Sequence, residues 1–192
     1  MHPKIKSIFF TKDKFIGNKK AFRISIDGTK MVFYSPPIYL PFGIEYYNGK
    51  PILNLEVEPT LNNDLYNFHS SIYQIDSMLN NIANNETEQR VEQRVEQEEL
   101  QLTKIQKENR QYINQLIKGK QFISCIRSGK NGFLFRTYVK QGAVIKSIDG
   151  KNYYKLSELV GRKAKVTIEL GNLWIMPETY GYVLNVTEIT IY

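Results

Sequence analysis

One cysteine and two histidines in 192 residues remove whole classes of chemistry. Cys125 alone cannot build a disulfide framework. With only His2 and His69 beside it, nitrogen and sulfur ligands fall short of the about four that a structural zinc takes. His2 sits at a terminus and His69 in a helix-like run, which argues against a histidine-based nucleophile triad or a zinc deaminase. No run of ~18 apolar residues is present to span a bilayer. The opening MHPKIKSIFFTKDK has no apolar stretch long enough for a signal-peptide core, so an intracellular protein with no membrane contact is expected. What the chain does have is 42% apolar residues, enough to bury a core in one domain or in one domain carrying an insertion.

Charge is the first positive clue. The formal balance is +7, but it is unevenly placed. Between Asn63 and Ile117 nine acidic residues stand against five basic ones, whereas the remainder holds 21 basic against 10 acidic. A mildly acidic middle interrupts a strongly basic frame, and basic charge attracts polyanions by counterion release.

The two flanks read as β. Phe22, Ile24 and Ile26 alternate with Arg23 and Ser25, as do Leu53, Leu55 and Val57 with Asn54 and Glu56. Val166, Ile168 and Leu170 repeat the pattern, and Val183 to Ile191 forms a last strand. Asp27-Gly28, Asn48-Gly49, Asn131-Gly132 and Asp149-Gly150 supply turn pairs between such runs, which predicts an antiparallel meander.

The middle changes period. Leu65, Phe68, Ile72, Ile75, Leu79 and Ile82 recur at steps of three and four, the seam of a coiled-coil-like helix. Asn80, Asn81, Asn84 and Asn85 supply a turn. A second run opens on the repeat Glu88-Gln89-Arg90-Val91, Glu92-Gln93-Arg94-Val95 and continues its seam through Leu102, Ile105, Tyr112 and Leu116. Two antiparallel helices, about 61–83 and 86–118, are predicted to form a hairpin inserted into the β-domain. Self-association through that hairpin is the alternative to internal pairing.

The sequence carries no catalytic constellation. Glu56 and Glu58, two apart on a predicted strand face, would need a further acid and a lysine beside them to hold a metal for phosphodiester cleavage. Asn18-Lys19-Lys20 after Gly17 lacks the glycine-rich pattern that cradles nucleotide phosphates. No cofactor, metal site or catalytic residue is expected, and a nuclease is the weakest reading. Cations and rings do interleave on both flanks. Lys30, Tyr34, Tyr39, Tyr47 and Lys50 lie on one, and Arg127, Lys130, Phe133, Arg136, Tyr138 and Lys140 on the other, with Trp174 further along. Single-stranded nucleic acid is held by this mixture, cations tracking phosphates and rings stacking on bases at ~1–3 kcal/mol each. Only one face of an alternating strand can meet a ligand: if Phe133 and Phe135 face one way, Leu134 and Arg136 face the other.

The run Tyr34-Ser35-Pro36-Pro37-Ile38-Tyr39-Leu40-Pro41-Phe42-Gly43-Ile44-Glu45, then Tyr47-Asn48-Gly49-Lys50 and Ile52 to Leu55, resembles the N-terminal half of single-stranded DNA-binding proteins of large double-stranded DNA viruses. These are OB-fold proteins akin to the phage T7 type. Gly161-Arg162-Lys163-Ala164-Lys165-Val166, Leu173-Trp174-Ile175 and Gly181 to Ile189 are similar to their closing strands. The resemblance covers about 130 residues outside the helical insertion. It implies a sequence-independent binder coating single strands in viral replication, recombination or repair, acting where a virus replicates in its host cell. Such binders often end in an acidic tail that recruits polymerase and helicase. This sequence closes on Ile191-Tyr192, and its acidic run is internal, Glu86 to Glu99, at the predicted hairpin tip. Replication proteins recruited through that tip are the partner this suggests.

The expectation is therefore a mainly β protein with an α insertion. Residues 1–60 and 119–192 would make an OB-fold-like antiparallel barrel, interrupted by a long antiparallel helical hairpin at 61–118. Its ligand would be single-stranded DNA. The alternatives are a structural or interaction protein working through the hairpin, and an RNA-binding OB module.

Overall fold

The computed structural model describes residues 8–16, 19–82, 104–150 and 154–192. They form a mainly β protein with two helices, and the chain divides into two compact units. The predicted hairpin tip, with Glu86 to Glu99 and the seam residues Val95 and Leu102, lies outside the described residues.

The first unit comprises residues 1–31, 74–124 and 171–182. Strands β1 (Ile8–Ile16) and β2 (Lys19–Ile26) pair antiparallel, with an irregularity between Lys12 and Phe15. β2 in turn pairs with Asn172–Ile175 at the end of β10 (Arg162–Ile175). The start of β11 (Thr179–Ile191) runs parallel to the short β7 (Gln121–Ile123). Alternation works as expected here: Phe22, Ile24 and Ile26 are buried, with Phe10, Leu173 and Ile175.

The second predicted helix is present as α2 (Lys104–Ile117), but its buried face differs from the seam. Ile113 and Ile117 are buried, Ile105 is 67% exposed, and Tyr112 and Leu116 lie at the margin. The physical reason is the partner. α2 lies against β1, where Asn109 Nδ2 donates to the Phe10 carbonyl at 3.0 Å, so a seam drawn for a facing helix has the wrong phase.

The second unit comprises residues 32–73, 125–170 and 183–192. β3 (Val32–Tyr34) and β4 (Ile38–Leu40) both pair antiparallel with one edge of β10. Between them Ser35-Pro36-Pro37 interrupts the ladder, since proline has no N–H to give. Buried Ser35 bridges the gap: its N–H donates to the Val166 carbonyl, and its Oγ accepts the Val166 N–H at 2.8 Å.

Beyond β10 the order is β11, then β9 (Phe133–Ser147), β6 (Lys50–Val57) and β5 (Ile44–Tyr47), with β8 (Ile126–Ser128) also on β9. β5–β6 and β6–β9 are antiparallel, but β9 and β11 are parallel from Asn185↔Tyr138 to Ile191↔Ser147. The all-antiparallel meander is thus corrected. After β9 the chain crosses to β10 before returning along β11, and parallel neighbours require such a crossover. Among the described residues of this unit no pairing joins β5 to β3 or β4, so its hydrogen-bonded sheet is open.

Two turn pairs behave differently. Asn48-Gly49, with both φ values positive, closes the β5–β6 hairpin. Asp27-Gly28 adopts the same left-handed pair but closes only a single bridge, Ile26↔Thr29.

Helix α1 (Asn63–Asn81) begins with Asn62 Oδ1 accepting the Leu65 N–H at 2.9 Å, an N-cap. Its predicted seam is buried from Leu65 and Phe68 to Leu79. In the second unit that stripe meets a sheet rather than a helix: Phe68 lies 5.8 Å, ring to ring, from Phe135 of β9. No described helix is long and apolar enough to cross a membrane.

Candidate nucleic-acid interface

Register decides which side chains share a face, because directly paired residues project to the same side of a sheet. In the second unit the inward set is Phe135, Thr137 and Val139 on β9, with Leu53, Leu55 and Val57 on β6 and Ala164, Val166 and Ile168 on β10. Outward on β9 are Leu134, Arg136, Tyr138 and Lys140. Opposite them on β6 stand Glu56, Asn54 and Ile52, and Lys50 pairs with Tyr47 on β5. Arg127 of β8 pairs with Leu134. On the other side of the sheet centre, Tyr34 stands opposite Thr167 and Tyr39 opposite Lys163 on β10. The Lys140–Glu169 ion pair, 3.2 Å, links the β9 and β10 parts of this face.

Eight predicted residues are therefore brought together: Tyr34, Tyr39, Tyr47, Lys50, Arg127, Arg136, Tyr138 and Lys140. Three of the rings are open to solvent, Tyr34 at 75%, Tyr39 at 59% and Tyr47 at 47%. Lys130 is exposed on the 129–132 loop at the end of β8 and β9. That loop is fixed from both ends. The Gly129 N–H donates to the Gly132 carbonyl at 2.8 Å, and the Asn131 N–H donates to Glu56 Oε1 at 3.0 Å.

Three predicted residues lie elsewhere. Phe133 projects to the inner side of β9, where its ring lies 4.4 Å from that of His69 on α1. The physical reason is parity: Phe133 is two residues from buried Phe135, so it shares that residue's face and not that of Arg136. Lys30 and Trp174 belong to the first unit. Trp174 pairs with Ala21 and is half-buried. Its ring sits so close to Gly181 that a Cβ there would come within 2.7 Å.

Two cations on the face went unread in the sequence. Lys163 and Lys165 project outward from β10, and Lys165 Nζ lies 5.6 Å from the ring centre of Tyr192. The available signal was the alternation Lys163-Ala164-Lys165-Val166, with Ala164 and Val166 buried.

The carboxylates on this face are each engaged. Glu45 accepts from Asn54 Nδ2, Glu56 from the Asn131 amide, Glu169 pairs with Lys140, and Glu188 pairs with Lys146 at 3.0 Å. Glu56 and Glu58 do not share a strand face, since β6 ends at Val57. No group of three or more His, Cys, Asp or Glu side chains converges among the described residues. His69, half-buried against Phe133 and Phe135, has its pKa lowered by desolvation. An outward sheet face of cations and tyrosines is what the second unit presents.

No family model and no curated protein matches the chain. Among solved structures it is similar to the single-stranded DNA-binding protein from bacteriophage Enc34, at 12% identity over 95% of this chain and 88% of that one, with a TM-score of 0.41. It is similar to a C-terminal truncation of that protein at 12% identity, covering 95% of this chain and 93% of that one, TM-score 0.39. The same phage protein in complex with single-stranded DNA gives 12% identity, 95% and 94% coverage and a TM-score of 0.40. At this identity and these scores no residue's role passes from that protein to this one.

Proposed function

We propose that this protein binds single-stranded DNA without sequence preference and without catalysis, through the outward sheet face of its second unit. The observation that carries the reading is the register. It puts Tyr34, Tyr39, Tyr47 and Tyr138 on the same face as Lys50, Arg127, Arg136, Lys163 and Lys165. Every base has a π-face, so exposed tyrosines accept any sequence, while the cations follow the phosphates. In this reading the second unit is an OB-type module. Such barrels are themselves partly open and bind oligonucleotides on a sheet face. The setting we propose is viral DNA replication, recombination or repair.

The test is fluorescence anisotropy with labelled oligo-dT, a random single strand and a duplex, at about 50 and 200 mM salt. Binding that prefers both single strands over duplex and weakens steeply with salt is the expected result. Absence of binding at the lower salt overturns the reading. Equal or tighter binding of a matched RNA oligomer reassigns the face to RNA.

A further inference from the structure

Resting on that reading, we infer that Arg136 and Tyr47 form a closed pair that nucleic acid opens by exchange: a phosphate takes the guanidinium and a base takes the ring. Arg136 reaches diagonally across β6, and its guanidinium carbon lies 5.2 Å from the ring centre of Tyr47. A cation so placed is attracted by the ring quadrupole. The seat is nonetheless incomplete, because Arg136 Nε is buried there with no hydrogen-bond partner. A buried N–H on a charged group left without an acceptor is unfavourable, and the resting pair does not relieve it.

Ile52 lies between the two on the same face. It projects outward, between Tyr138 and Glu45 in register, yet is only 4% exposed. Its diagonal neighbours on that face are Arg136 and Tyr47. The closed pair occupies ring area that stacking would use.

A phosphodiester offers what the seat lacks. Its oxygens can accept from Nε and a terminal N–H together, the forked geometry that suits arginine to phosphate and that lysine cannot reproduce. Once the guanidinium has moved, a base can lie on Tyr47. One cation–ring interaction gives way to two interactions with the nucleic acid.

The test reads the slope of log affinity against log salt for oligo-dT, whose steepness on a single strand is about 0.7 per phosphate neutralised. Arg136→Gln is expected to weaken binding by about tenfold and to reduce the slope by about 0.7. Tyr47→Ala is expected to weaken binding with the slope unchanged. A flattened slope in Tyr47→Ala overturns the exchange, because the ring then only holds Arg136 in place. An unaltered slope in Arg136→Gln overturns it too, since the guanidinium then stays on the ring. Should Arg136→Gln fail to fold, Arg136→Lys is read instead: the exchange predicts weakened binding despite the retained charge, and wild-type affinity overturns it. Tyr34→Ala separates the two levels of the claim. If the wild type binds and Tyr34→Ala weakens it while both slopes contradict the exchange, only the exchange falls. If the wild type does not bind, both fall.

Discussion

Glu56 Oε1 accepts the backbone N–H of Asn131 at 3.0 Å, so an acid on the outward face is a loop fastener. The loop it holds carries Lys130 and is tight at its far end. A Cβ on Gly132 would meet the Val57 carbonyl oxygen at 2.3 Å, so the backbone there packs too closely for any side chain. Glu56→Ala is expected to cost about 1 kcal/mol, within the usual range for one partly exposed hydrogen bond. The Asn131 amide should then exchange with solvent much faster, whereas Glu56→Gln keeps an acceptor and should protect it. Unchanged exchange in Glu56→Ala would show that the loop is held by Gly132 packing alone.

Phe133 separates packing from binding on a single strand. Its ring lies against His69 on the inner side of β9, while Tyr138 projects to the other side. Phe133→Ala should lose roughly 2 kcal/mol of stability, below the ~3–5 kcal/mol of a fully buried phenylalanine because Phe133 is only half-buried. The folded variant should bind oligo-dT within about twofold of wild type. Tyr138→Ala should do the reverse, costing ~1–3 kcal/mol of binding. Urea unfolding and anisotropy on the same two proteins decide it. Weak binding by a Phe133 variant of unaltered stability would contradict the side assigned to it.

The phase of α2 makes a similarly sharp comparison. Ile113 is fully buried where the helix lies against β1, and Ile105, on the expected seam, is exposed. Ile113→Ala should destabilise by ~2–5 kcal/mol. Ile105→Ala should stay within about 0.5 kcal/mol of wild type, as surface exchanges do. If Ile105→Ala proved the more damaging, that residue would have a partner that the described residues do not contain.

Those three cases show where reading the sequence succeeds and where it stops. Period-two alternation named the buried residues of β2, β6 and β10 (Phe22, Ile24, Ile26; Leu53, Leu55, Val57; Val166, Ile168, Leu170), because parity along a strand is a local property. It could not say which neighbour each strand takes or in which direction. The parallel pairing of β9 with β11 is therefore invisible in either strand alone. Asp27-Gly28 shows the same limit, since the turn is local and its strand partner is not. A helical stripe announces that it is buried without announcing by what, and assuming a second helix put Ile105 on the seam and passed over Ile113. On the candidate face, parity alone leaves two choices for Phe133 and Arg136. The packing of Phe68 and His69 on the inner side chooses between them.

Asp76 supplies a pH-dependent prediction in the first unit. Its Oδ1 accepts from Ser124 Oγ at 2.7 Å and from Tyr182 OH at 2.9 Å. Burial raises its pKa above the usual aspartate value, and the two hydrogen bonds pull it back only in part. Tyr180, buried nearby, is pushed up to about 12 by burial and then by the Asp76 charge. A carboxyl whose pKa is higher folded than unfolded binds its proton more tightly in the folded state, so it favours folding most at low pH. That contribution is complete below the unfolded value and is lost as pH rises through the folded one. In Asp76→Asn the amide oxygen can still accept both hydrogen bonds, with no charge to desolvate. The stability of wild type relative to Asp76→Asn should therefore fall as pH is raised from about 3 through the aspartate range and then level off. Urea unfolding of both proteins at a series of pH values measures this directly. Parallel curves would mean that Asp76 titrates alike in both states, and a gap that moves in wild type's favour as pH rises would mean that the two hydrogen bonds outweigh burial.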